Sequence, residues 1–387
     1  MSAFIRYKSI KWSLLVILAS LAGCSSLPTS SPSNSLSQQD LLSGEVLFGS
    51  EVSNWALPSE DILAVSDEMR QFLSDHTDNL GGKGHRLRKL MKALLDNGLM
   101  NLKYTNNKTL TAQETFEQRA GNCLAFTNLF VALARELGLN VYYQSVDVPP
   151  SWRRGGDFLV INQHVNVLVK TPYEDDYVVD FNLPDYSGNY ETEPVSDKTA
   201  FAQYYSNLAV EYLENKEYRD AFLYLKKALL TDSRQSFIWI NLGALYSRHG
   251  YYDHAEAAYL YAIKANRRDK TAYNNLANLY RAQGKNELFE KYSKKARYYR
   301  NANPYYYFWL AQQAYREQEY SQTLKHLQKA IAKKDDEHLF YYLRGLSYYQ
   351  LGDKNLAKDN FSKAEEKSQL EFIRKRYRKK LEFLVSG

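Results

Sequence analysis

The chain has 387 residues, of which 44% are hydrophobic and 24% charged, so its length suits two or three domains and its composition excludes a disordered protein. The mean hydropathy of −0.54 and the presence of a single long apolar run exclude a multi-span membrane protein. The net charge of +6 divides into −8 over residues 41–198 and +12 over residues 199–387, which indicates two domains with different surfaces.

Residues 1–23 have the pattern of a signal peptide, a segment that takes no part in the mature fold. Three basic residues precede its apolar stretch: Arg6, Lys8 and Lys11. The stretch Trp12–Ala22 is too short to span a bilayer, and an ordinary secretory peptide fits it. The sequence Leu21-Ala22-Gly23-Cys24 resembles the lipobox of bacterial lipoproteins, and this resemblance implies that Cys24 is acylated and begins the mature chain.

The lipoprotein resemblance also implies a location. Ser25 fits sorting to the outer membrane, so we expect a lipoprotein that faces the periplasm and contacts the membrane through its lipid alone. Residues 24–40 are rich in serine and are expected to form a flexible tether. Cys123 is then the one thiol left, and no intramolecular disulfide can form. Its role is either that of a buried small hydrophobe or a chemical one.

Three helices are predicted early in the first domain. Residues 59–77 and 85–100 carry apolar residues at helical spacing and are separated by a glycine-rich segment. A third helix covers Thr111–Gln118, with Thr109 and Thr111 as possible caps.

A fourth helix is predicted over Leu124–Leu137 and ends at Gly138. Cys123 therefore lies at the helix N terminus, with Asn122 as the cap. The helix dipole and the free amide N–H groups at such a position stabilise a thiolate. This placement favours a nucleophilic role for Cys123.

Three strands are predicted after this helix, at Val141–Val148, Asn162–Lys170 and Tyr177–Asn182. Alternation places His164 on the side of its strand opposite to Val165, Val167 and Val169, and Asp180 on the side opposite to Tyr177, Val179 and Phe181. A hairpin between the last two strands can place His164 beside Asp180.

The order of these three residues resembles the transglutaminase-like superfamily, whose papain-like core uses a Cys-His-Asp triad. The matching segments are Gly121-Asn122-Cys123-Leu124 with Ala132–Gly138, Gln163-His164-Val165 and Val179-Asp180. The resemblance covers about residues 85–185. It implies an α+β transglutaminase-like (papain-like) fold for residues 41–198, with Cys123 as nucleophile, His164 as general acid and Asp180 orienting the imidazole.

In such a triad the cysteine attacks an amide carbonyl. Water then completes the reaction as hydrolysis, or an amine completes it as transamidation. Open access to water in the periplasm favours a peptidase or amidase. The Cys123 N–H can stabilise the oxyanion, but no second donor is identified. Because neither metal-ligand spacing nor a glycine-rich phosphate loop is present, we expect no metal and no cofactor. Nucleic acid is not expected as a partner, since the chain is exported and carries only +3 after processing.

Residues 199–371 contain five blocks of 34 residues without an insertion. The blocks begin at Ala202, Ser236, Lys270, Pro304 and His338. The sequence Trp239-x2-Leu242-Gly243-x2-Tyr246 matches the tetratricopeptide signature, and the array resembles five such repeats in an all-α solenoid. Residues 372–387 are expected to form a capping helix over Phe372–Val385. Its six basic residues form either a solvated face or a contact with anionic lipid or glycan.

Three asparagines occupy the sixth position of the first three blocks: Asn207, Asn241 and Asn275. On the concave face of the array, their side-chain amides would form a ladder. This ladder resembles that of O-linked N-acetylglucosamine transferases, and the resemblance implies that the amides bind the backbone of a protein or peptide partner. A solvated helix face is the alternative. Two functions follow for the whole chain: a cysteine hydrolase or acyltransferase whose repeats recruit the substrate, or a non-enzymatic scaffold with a degenerate first domain.

Overall fold

The computed structural model describes residues 4–6, 36–77, 81–96, 102–105, 107–146, 164–171, 176–181, 190–369 and 371–386. Within these residues an α+β region precedes a helical array, which confirms the predicted fold class. Phe4–Arg6 form strand β1 of the sheet, although the sequence predicts that residues 1–23 take no part in the mature fold. The rest of the predicted signal peptide lies outside the described residues, and so does Cys24.

Two short helices open the first domain, α1 (Gln38–Ser43) and α2 (Glu45–Phe48), followed by a 3₁₀ turn at Ser50–Asn54. Ser37 and Asp40 form a reciprocal capping box at the start of α1. The expectation of a flexible tether over residues 24–40 is therefore wrong for residues 37–40.

The predicted helix over residues 59–77 is shorter in the structure, where α3 spans Asp67–His76. The helix begins there because the Ser66 hydroxyl accepts a hydrogen bond from the Met69 N–H and so fixes the N-cap. Helix α4 spans Lys83–Met91 and continues as a π-helical turn over Lys92–Asp96.

The larger sheet of the described residues contains β1 and four further strands: β4 (Asn140–Val146), β5 (His164–Lys170), β6 (Tyr177–Val179) and β7 (Thr192–Val195). These five strands are antiparallel, in the order β1-β6-β5-β4-β7. Two residue pairs form a separate parallel ladder, β2 (Lys103–Tyr104) and β3 (Ala120–Gly121), which flank α5 (Ala112–Gln118). Helix α6 (Cys123–Glu136) packs on the sheet face that carries Val165 and Val167.

The array consists of five helix pairs and a final helix. These are α7 (Asp197–Glu214), α8 (Tyr218–Thr231), α9 (Ser236–Arg248), α10 (Tyr252–Ala265), α11 (Lys270–Ala282), α12 (Asn286–Ala302), α13 (Pro304–Arg316), α14 (Tyr320–Ile331), α15 (His338–Gln350), α16 (Lys354–Lys367) and α17 (Glu371–Ser386). In the last four repeats the first helix begins at the residue that the 34-residue period predicts. The first repeat begins earlier, because Ser196 caps α7.

Three clusters of buried apolar side chains organise the molecule. The largest runs without interruption from Leu41 through α6 and the sheet to Tyr280 in the third repeat. A second cluster lies within α13, α14 and α15. None of the described side chains of α12 is buried, so the break between these two clusters falls at this helix.

The third cluster joins the outer face of the sheet to the end of the array. Val146, Leu168 and Val178 lie in it together with Tyr341 of α15 and Tyr377 of α17. The first repeat contacts the domain elsewhere: Phe201 of α7 packs edge-on against Tyr143. Both ends of the array therefore contact the first domain.

Gly44 lies where the N-terminal segment closely approaches the array. Its φ is +73°, and a Cβ placed there would lie 2.6 Å from the ring of Phe222 on α8. Gly284 is the matched control, because its φ is +69° and no atom lies within 4 Å of its Cβ position.

We expect Gly44→Ala to lower the free energy of unfolding more than Gly284→Ala does. Both substitutions add backbone strain of about 1 kcal/mol. Only Gly44→Ala also crowds an aromatic ring, which adds about 1–3 kcal/mol. Urea unfolding of the two variants measures the difference, and equal losses would contradict a tight contact at Gly44.

Candidate active site

Cys123 is the first residue of α6, and its position is fixed by two hydrogen bonds of Asn122. The Asn122 Oδ1 accepts from the Ala125 N–H at 3.0 Å, and the Asn122 Nδ2 donates to the Thr109 Oγ1 at 2.8 Å. The sequence predicts Asn122 as the cap from local preferences. It does not predict the hydrogen bond between Asn122 and Thr109, because these residues are distant in the sequence. The Cys123 side chain is half-buried, and its N–H lies in the first helical turn, where amides lack intrahelical acceptors.

Gly121 lets the chain pass close to α6 just before Cys123. A Cβ at this position would lie 2.6 Å from the Cβ of Ala125. A Cβ at Gly82 would meet no atom within 4 Å, and the φ of Gly82 is −72°, so Gly82 offers a control substitution.

We expect Gly121→Ala to displace the start of α6 and to slow alkylation of Cys123 by iodoacetamide about tenfold, since small misplacements of a reacting group cost large factors in rate. Gly82→Ala should leave the rate unchanged. Mass spectrometry of the peptide that carries Cys123 gives both rates. An unchanged rate in Gly121→Ala would show that α6 tolerates the methyl group.

His164 and Asp180 meet across the hairpin of β5 and β6, as the strand pattern predicts. The register pairs Val167 with Val179, which places His164 diagonally from Asp180. The His164 Nε2 lies 2.7 Å from the Asp180 Oδ2. Both side chains are buried, with His164 6% exposed and Asp180 1% exposed.

Cys123 lies near His164, close enough to affect the ionisation of the imidazole. Burial alone lowers the pKa of His164, but Asp180 and Cys123 outweigh burial and raise the pKa to about 10. The imidazole therefore favours its protonated form. A protonated imidazole beside a sulfur atom is an environment in which a cysteine can act as a nucleophile.

Asn166 also contacts this group, and the sequence analysis assigned it no role. Its Nδ2 donates to the Asp180 Oδ2 at 3.1 Å. The strand alternation could have identified Asn166, because it places Asn166 on the same side of β5 as His164.

The three asparagines of the predicted ladder have different surroundings. Asn207 is half-buried, and the half-buried Asn241 donates to the Ser206 hydroxyl at 3.0 Å. Asn275 is 7% exposed and lies near Tyr259 of the preceding repeat. Peptide binding by a ladder of three open amides would therefore require Asn275 to become more exposed, and the ladder stays a prediction.

Among the described residues, no group of three His, Cys, Asp or Glu side chains could hold a metal ion. Within the same ranges, no helix combines the length and the apolar composition needed to cross a bilayer.

Comparison with protein families agrees with this geometry. Residues 70–177 match the transglutaminase-like superfamily, and residues 238–269 and 339–366 match the tetratricopeptide repeat. The chain therefore combines a transglutaminase-like domain with tetratricopeptide repeats. Cys123 and His164 lie inside the first match, and Asp180 lies just beyond its end. None of the curated proteins matches the chain significantly.

Three solved structures similar to this chain illustrate the repeat region. YrrB, described as a TPR protein with an unusual peptide-binding site, is 17% identical, with 46% of this chain and 92% of that chain covered and a TM-score of 0.25. MamA from Desulfovibrio magneticus RS-1 is 18% identical, with 44% and 95% covered and a TM-score of 0.25. Pseudomonas aeruginosa pilF is 18% identical, with 46% and 82% covered and a TM-score of 0.25. Each covers less than half of this chain.

Proposed function

We propose that the protein is a cysteine hydrolase or acyltransferase that acts on amide bonds of proteins or peptides, with the repeats recruiting the substrate. The observation that carries the proposal is the buried His164–Asp180 pair, joined at 2.7 Å, with Cys123 near His164 at a helix N terminus. These groups lie in or directly beside the segment that matches the transglutaminase-like superfamily.

The reaction begins when the Cys123 thiolate attacks the amide carbonyl carbon, whose electron pair moves to the oxygen. The Cys123 N–H at the start of α6 stabilises the resulting oxyanion. As the tetrahedral intermediate collapses, the His164 imidazolium gives its proton to the leaving amine, and a thioester to Cys123 remains. Asp180 holds the His164 Nε2 at 2.7 Å, which leaves the other ring nitrogen, Nδ1, to transfer the proton.

The second half of the reaction returns the enzyme to its starting state. Neutral His164 removes a proton from water or from an amine, which attacks the thioester and releases Cys123 as the thiolate. Water gives hydrolysis, and a primary amine gives transamidation. Exposure to water in an open envelope compartment favours hydrolysis.

Comparative labelling of peptide termini tests the proposal. The full chain and the Cys123→Ser variant are each incubated with bacterial envelope proteins and a biotin-labelled primary amine. New termini that depend on Cys123 support a hydrolase, and incorporated biotin supports an acyltransferase. If Cys123 reacts with iodoacetamide as an ordinary thiol and neither product forms, the scaffold alternative replaces the enzyme.

We further propose that acylation of Cys24 anchors the protein to the outer membrane, on the strength of the lipobox resemblance. Cys24→Ser should then release a folded protein into the soluble fraction, because acyl chains supply the anchoring energy. Fractionation in high salt measures the release. Retention of Cys24→Ser with the membrane would contradict the lipid anchor.

A further inference from the structure

A row of polar side chains crosses the outer face of the sheet beside the proposed catalytic pair. Gln144 of β4 is the direct cross-strand partner of Asn166 on β5, and Asn166 in turn contacts Asp180 after β6. Asn166 is fully buried, and Gln144 is 6% exposed. Polar side chains that are buried so deeply need hydrogen-bond partners, so the partners of Asn166 and Gln144 indicate the role of each side chain.

The amide of Asn166 can take only one orientation. Its Nδ2 lies 3.1 Å from the Asp180 Oδ2, the same oxygen that lies 2.7 Å from the His164 Nε2. The opposite orientation would place a carbonyl oxygen against the carboxylate, and two acceptors repel each other. One N–H of the Asn166 side chain therefore donates to Asp180.

This orientation leaves the Asn166 Oδ1 buried without a donor among the described residues. A leucine, which has a similar size, would fill the same volume without burying an unpaired oxygen. Packing therefore does not explain the asparagine. The hydrogen bond to Asp180 is the favourable contact that the side chain supplies.

We infer that Asn166 is a positioning residue for the proposed reaction: its N–H group holds the Asp180 carboxylate with Oδ2 toward His164. A fixed carboxylate stabilises the protonated imidazole, and the protonated imidazole stabilises the Cys123 thiolate. The inference rests on the proposed function, because it assigns Asn166 a role in the same triad.

The test compares Asn166→Leu with Gln144→Leu in the full chain. Gln144 is the matched control because it is buried on the neighbouring strand and its Oε1 also lacks a donor among the described residues. Iodoacetamide alkylation of Cys123 is followed from pH 3 to pH 9, so that the profile includes the pH at which the thiolate is lost. Loss of a hydrogen bond to a charged group shifts an equilibrium about tenfold, which is about one pH unit. We expect Asn166→Leu to raise the midpoint of the profile by about one pH unit and to leave the rate at pH 9 nearly unchanged, and Gln144→Leu to match the wild type.

Each other outcome has a separate meaning. Equal slowing at every pH, or equal effects of the two substitutions, would overturn the inference and assign Asn166 to packing. A wild-type midpoint in Asn166→Leu would also overturn it. If wild-type Cys123 itself reacts like an ordinary thiol at pH 6, the proposed function fails first. Should Asn166→Leu not fold, Asn166→Ala adds no atom to the site and serves for the same measurement.

Discussion

Alkylation of Cys123 should be nearly independent of pH between 6 and 9 in the wild-type chain and should rise steeply with pH in His164→Ala. In the wild type, Asp180 and Cys123 raise the pKa of His164 to about 10, so its imidazole carries a positive charge across this range, and a positive charge favours a neighbouring thiolate. In His164→Ala this cation is absent. Because thiolates alkylate and thiols do not, the rate then follows ordinary thiol ionisation.

The size of the effect follows from two opposing factors. An ordinary thiol, with a pKa of about 8.5, is only about 0.3% ionised at pH 6. A thiolate stabilised by a cation is also a weaker nucleophile, which offsets about tenfold of the gain. His164→Ala should therefore lower the alkylation rate at pH 6 by about 10- to 30-fold.

Mass spectrometry of the Cys123 peptide measures this rate independently of Cys24. His249→Ala is the matched control, since His249 lies in the array and bonds the Leu245 carbonyl at 2.9 Å. If His164→Ala and His249→Ala gave the same pH profile, the pairing of His164 with Cys123 would have no chemical effect.

Loss of the Phe222 side chain should destabilise the transglutaminase-like domain although Phe222 belongs to the array. Phe222 is fully buried on α8, and its ring lies 5.7 Å from the ring of Phe48 in the N-terminal segment. One apolar cluster continues from there into α6. Truncation of a buried phenylalanine costs about 3–5 kcal/mol, so Phe222→Ala should lower the free energy of unfolding of α6 by a similar amount.

Hydrogen exchange of the α6 amides reports this free energy directly. Phe340→Ala is the matched control, because Phe340 is also fully buried but lies in the separate cluster of the last two repeats. We expect Phe340→Ala to leave exchange in α6 almost unchanged. If Phe222→Ala also left it unchanged, the first domain and the first repeats would unfold independently.

The sequence predicts those parts of the molecule that depend on local signals. The 34-residue period places the first helices of four repeats to the residue, because each repeat packs mainly on its neighbours. Asn122 and Gly138 bracket α6 because capping preferences act within a few residues. The alternation of β5 and β6 places His164 and Asp180 on one face, and the antiparallel register brings them together.

The remaining features depend on contacts between distant residues. Residues 37–40 look like tether, yet Leu41 directly after them is fully buried and its carbonyl accepts a hydrogen bond from Tyr246 at 2.6 Å. The contact of Asn166 with Asp180 depends on side-chain orientation within a buried row. The surroundings of Asn275 likewise depend on Tyr259, which belongs to the preceding repeat. No local pattern carries this information.

The contact of the last repeat with the outer face of the sheet limits how the protein can evolve. An ordinary solenoid gains or loses whole repeats by duplication and deletion, since each unit needs only its neighbours. Here the first repeat contacts Tyr143 near one sheet face, and the last helices contact Leu168 on the other. Insertion or deletion of 34 residues would carry α17 away from the sheet and uncover Val146, Leu168 and Val178. The repeat number is therefore held by closure of the chain on itself, and homologues with this closure should keep five repeats while their surfaces diverge.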